Sequence, residues 1–121
     1  HRPGVSGRVR VNVMTVRDDE AMRSMVRVQA KEIFRSLGKL AKRVRRAEQR
    51  LSRLDGDDAV LEWSEDEARA SNNERSYLRA ELEMSREMHA RLEGVFDRLL
   101  ALLDAREAET YTRMHLASSK L

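Results

Sequence analysis

The sequence predicts an all-α fold, a long-helix coiled coil built as an antiparallel helical hairpin that dimerises into a four-helix bundle. Three observations predict it. Apolar residues recur at 3-4 spacing over two long stretches. Among 121 residues there are one Pro and five Gly, so few positions interrupt a helix. Charged residues make up 37% and aromatics only 4%, a composition suited to long helices rather than a broad globular core. A parallel coiled-coil dimer hinged at residues 55–58 is the alternative arrangement.

Residues 1–16 read as an extended leader or the end of a preceding domain. HRPGVSG is rich in turn formers, and Val9, Val11 and Val13 then alternate with Arg8, Arg10 and Asn12. That is strand periodicity, although a helical extension also fits.

Residues 17–54 read as the first helix, starting near Thr15–Asp19. Asp18, Asp19 and Glu20 suit the positive end of a helix dipole. The heptad places Arg23, Ala30, Leu37, Val44 and Leu51 at a, and Val26, Ile33, Leu40, Ala47 and Leu54 at d. Phe34 and Ala41 add apolar e positions. Gly38 interrupts the pattern at a cost of about 1 kcal/mol, and reads as a tolerated outward position.

Residues 55–73 read as an acidic connector. Gly56 suits a helix end, residues 59–70 a short helix, and Ser71-Asn72-Asn73-Glu74 a capping box opening the next helix. Residues 74–117 read as the second long helix, although 59–117 also fits one continuous helix, followed by a tail at 118–121. Its a positions are Leu78, Ser85, Leu92 and Leu99; its d positions are Met88, Val95 and Leu102. Leu82, Phe96 and Leu103 sit at e. A stripe three positions wide calls for packing against more than one helix. The expected oligomer seam is Ile33, Leu37, Leu40, Val44, Leu51, Leu54, Leu92, Val95, Leu99 and Leu102.

Net charge is only +3, but the charge is segregated. Residues 23–54 carry eleven bases against two acids, and residues 55–74 eight acids against one base. The bases Lys31, Arg35, Lys39, Lys42, Arg43, Arg45, Arg46, Arg50 and Arg53 fall mainly opposite the seam. Like charges at successive i,i+4 positions repel by a few tenths of a kcal/mol per pair, so an acidic partner would relieve them. A solvated helix face is the plainer reading.

The partner could be an acidic polymer, with a microtubule or other cytoskeletal filament first and nucleic acid second. It could also be the acidic 55–74 segment of another copy. The marks of DNA readers are missing: the basic residues do not precede the heptads as in a basic zipper, and Phe34 is the one aromatic within them. Val60, Leu61 and Trp63 form an apolar island among acids, readable as a docking motif or as a cap on the hairpin end.

No Cys is present, which removes thiol catalysis and thiolate metal sites. His89 and His115 are too far apart along one helix to share a metal, and His89 reads as an edge residue. Asp55-Gly56-Asp57-Asp58 fails EF-hand spacing. No catalytic or metal site, cofactor or small-molecule substrate is expected, and the chain reads as a non-enzymatic interaction module. The runner-up is a purely structural oligomerisation scaffold. No apolar run is long enough to span a bilayer. A cytoplasmic, cytoskeletal or nuclear location is expected, with the peroxisome considered only if Ser119-Lys120-Leu121 is a native C-terminus. The chain lacks an initiator Met and reads as a fragment.

Overall fold

Helix satisfies every interior backbone group locally, and nearly all of this chain adopts it. A computed structural model describes the backbone of residues 3–57 and 63–121, and the side chains of 19–56 and 63–121. It contains α1 (Pro3–Asp57), α2 (Glu65–Leu100) and α3 (Ala105–Ser118), with no strand among the described residues.

The N-terminal strand reading is therefore corrected: α1 is one helix from Pro3 and does not start at Thr15–Asp19. Pro suits a first helical turn, where its missing N–H costs nothing. The alternating valines lower helix propensity only slightly, and a lone strand would leave its backbone unpaired. At the other end α1 runs through Gly56 to Asp57, and Gly56 keeps a negative φ rather than forming a left-handed cap.

The start of α2 is also corrected. Ser64, not Ser71, is the N-cap: its Oγ accepts the Glu67 backbone N–H at 3.2 Å and lies 3.2 Å from Glu67 Oε1. Ser64 is thus a side-chain N-cap whose hydroxyl also donates to the Glu67 carboxylate. Three acids follow in the first turn, where the helix dipole favours them. Residues 65–73, expected in the connector, are the opening turns of α2. Ser71 is a buried interior residue.

The expected helix over 74–117 is split. After Leu100 the backbone tightens: the Leu102 and Leu103 N–H groups bond the Leu99 and Leu100 carbonyls. Asp104 then caps α3, its Oδ1 accepting the Glu107 N–H at 2.9 Å. The chain reverses without a positive φ.

Ion pairs fix the directions. Arg50–Glu74 and Arg43–Glu81 join α1 and α2 antiparallel within one chain. Arg27–Glu107 and the Ser119–Phe34 contact set α3 parallel to α1. The hairpin is seen, rather than a rod hinged at 55–58.

The core forms two clusters. One gathers Val26, Ala30 and Leu37 of α1, Phe96 and Leu100 of α2, Leu103 of the corner and Tyr111 of α3. The other holds Val44, Ala47 and Leu54 against Leu78 and Leu82. Each fully buried large side chain contributes about 1.5–3 kcal/mol. The wide apolar stripe finds its extra partner in α3 of the same chain: Phe96 and Leu103, both expected at e, pack there.

Candidate functional site

The basic residues keep the arrangement their heptad positions imply. Lys31, Arg35, Lys39, Lys42, Arg43, Arg45, Arg46, Arg50 and Arg53 are all exposed on α1, while Leu37, Leu40, Val44 and Ala47 between them are buried. Over this span the face is roughly 33 Å long at about 1.5 Å per residue.

The acids of the chain answer this face only in part. Arg50 makes a two-pronged hydrogen bond to Glu74 (2.6 and 3.2 Å), which holds the Glu74 carboxyl below its ordinary value. Arg43 stands 3.9 Å from Glu81. Nearby acids are engaged elsewhere: Asp55 with Arg75, Asp66 with Arg69, and Glu48 with Arg86. Lys31, Arg35, Lys39, Lys42, Arg45, Arg46 and Arg53 make no ion pair among the described residues.

Where α1 meets α2, two adjoining grooves share Arg43 and Glu81. The basic one, about 580 Å³, is lined by Lys39, Lys42, Arg43, Arg46 and Arg50 over Ala47 and Leu78, with Glu81 its acid. The apolar one, about 340 Å³, is lined by Leu40, Tyr77, Ala80, Met84, Ser85 and Met88 beside Arg43 and Glu81.

Of the expected seam, Leu37, Leu40, Val44 and Leu54 are buried inside the single chain. Ile33, Leu51, Leu92 and Leu99 are half-buried, and Val95 and Leu102 are exposed. For the Val60-Leu61-Trp63 motif, Trp63 is half-buried, and Val60 and Leu61 lie outside the described residues.

A polar knot went unread in the sequence. His89, expected at an edge, is fully buried, and this is a correction. Its Nε2 donates to the Ser119 carbonyl at 2.6 Å; a carbonyl only accepts, so Nε2 carries the proton. Its Nδ1 lies 3.2 Å from Glu93 Oε1, outside hydrogen-bond geometry. Glu93 Oε2 is 2.7 Å from His115 Nε2, and the two imidazoles stack at 6.1 Å. Phe96 packs edge-on to Tyr111 and tilted on His115. The knot ties α3 to α2. The periodicity of α2 alone could not reveal it, because burial of His89 requires α3 to fold back. Among the described residues no cluster of three or more His, Asp or Glu could hold a metal ion.

No family model, curated protein or solved structure matches this sequence. No helix among the described residues is long and apolar enough to cross a membrane.

Proposed function

We propose that this chain is a non-enzymatic interaction module whose first helix offers a basic face to an acidic polymer, a microtubule or other cytoskeletal filament first and nucleic acid second. One observation carries the reading. Seven bases on one face of α1 make no ion pair among the described residues, although Glu74 and Glu81 of α2 pair with their neighbours Arg50 and Arg43. Their mutual repulsion is left for an outside partner to relieve. A rod with one charged flank suits an extended, repeating acidic surface better than a compact one.

The test is co-sedimentation with polymerised tubulin, and separately with duplex DNA, across a salt series. Wild type should bind at low salt and release steeply as salt rises. Arg35→Glu, Arg45→Glu and Arg53→Glu together should abolish binding with helicity intact. A triple variant that sediments like wild type would sink the reading.

A structural scaffold is the second reading. It is favoured by bare apolar residues on α1: among the described residues Val26 is the first of α1 in a core cluster, and Met22, Met25 and Val28 are exposed. Self-association would run through that stretch, and Met25→Glu should then lower the mass seen in light scattering. A peroxisomal address is disfavoured by Ser119, which is 1% exposed with its carbonyl bonded to His89.

A further inference from the structure

We propose that the apolar groove between α1 and α2 is a docking site for an acidic amphipathic helix of a partner protein. Tyr77, Met84, Met88 and Val95 repeat at spacings of seven, four and seven, which sets them in one line along α2. They are 68%, 68%, 53% and 37% exposed, large apolar side chains with no cover in this fold. The line runs roughly 27 Å at about 1.5 Å per residue, the length of an opposing helix of five turns.

Leu40 reaches the floor of the groove from α1, so the surface is a trough between two helices rather than an isolated ridge. Methionine side chains are flexible and polarisable, and they shape themselves to varied apolar anchors. A helix laid in such a trough presents apolar residues at i, i+3 or i+4, and i+7.

Charge selects the occupant. The groove opens at Arg43 onto the basic groove, where, among the described residues, Lys39 and Arg46 make no ion pair and Glu81 is the lone lining acid. A helix seated on the methionines would set one flank along this row. Carboxylates on that flank gain charge-assisted hydrogen bonds, and bases are repelled. A second copy docked antiparallel here, about a two-fold axis perpendicular to α2, would bring the row toward its own like-charged image. The proposal stands apart from polymer binding, because Arg35, Arg45 and Arg53 line neither groove.

The experiment uses fluorescence anisotropy with the whole chain and two synthetic helices of about 20 residues. Both carry Leu at i, i+4, i+7 and i+11; one has Glu on its flanks and the other Lys. The Glu peptide should bind saturably, more weakly as salt rises, and the Lys peptide should not. Met84→Glu with Met88→Glu should weaken binding by about tenfold or more. These positions are exposed, so circular dichroism should show unchanged helicity. Arg35→Glu, Arg45→Glu and Arg53→Glu together should leave peptide binding near wild type, which separates this site from the polymer face. Absence of saturable binding, equal binding of the Lys peptide, or unchanged binding by the methionine variant overturns the proposal. So does a concentration-dependent dimer in light scattering that Met88→Glu dissolves, because the groove would then belong to a second copy.

Discussion

The two ends of the hairpin are built differently. At one end three helices enclose Phe96, Leu37 and Tyr111, and the His89–Ser119 and Glu93–His115 hydrogen bonds add polar ties. At the other, two helices meet over Val44, Ala47, Leu54, Leu78 and Leu82, flanked by ion pairs such as Arg50–Glu74 and Arg86–Glu48. Those five side chains are only 2–9% exposed, yet two helices alone cover them. Exposed ion pairs add little to stability. Both grooves lie toward this thinner end. Binding surface and stability are thus separated along one hairpin, and the surface is available because no third helix covers it.

The largest expected break in this contrast comes from Phe96→Ala. Phe96 is 1% exposed and touches both Tyr111 and His115, so its loss should cost about 3–5 kcal/mol in urea unfolding. Leu82→Ala, at the two-helix end, should cost less, about 2–3 kcal/mol, because the open site can collapse or admit water. Equal costs would mean the two ends are equally well packed.

Acid should act on one end through Asp104. The Glu107 backbone N–H holds the Asp104 carboxyl below its ordinary 3.8. A depressed folded value means the stabilisation is complete above that ordinary value and is lost as pH falls through the lowered one. Hydrogen exchange in α3 should therefore accelerate below about pH 4, and Asp104→Asn should flatten the change. An α3 whose protection tracks α2 at every pH would count against local undocking.

The smallest effect sharpens the same contrast. A Cβ at Gly38 would meet Ser119 Oγ at 3.6 Å, an ordinary contact. Gly38→Ala should raise stability by up to about 1 kcal/mol from helix propensity alone. A loss in thermal melts would show that α3 needs the bare backbone there.

What could be read ahead of the structure follows from these contacts. The heptads of α1 gave the buried line from Ala30 to Leu54, because a helix face is fixed by local spacing. The basic face was legible for the same reason. The reversal at 101–104 was not: Ala101, Leu102, Leu103 and Asp104 include no Gly or Pro, and Leu102 continues the heptad. The one signal was Asp104 followed by Glu107, a capping pattern inside an apparently continuous helix. Missing that turn hid α3, and with it the burial of His89 and Ser119. The helical start at Pro3 was lost to a short valine alternation that local pattern alone could not arbitrate.

The corner at 101–104 also bears on the order in which the molecule assembles. Ties between α2 and α3 join residues 22 and 30 positions apart. Between α1 and α2, Arg50 and Glu74 are 24 apart. Contacts of α1 with α3 span 80 and 85 positions. Closing a short loop costs less chain entropy than closing a long one. The α1–α2 and α2–α3 pairs should thus nucleate separately, and the three-helix end, whose contacts span the longest separations, should close last. Mutations at Val26 should then change the unfolding rate and leave the folding rate nearly untouched.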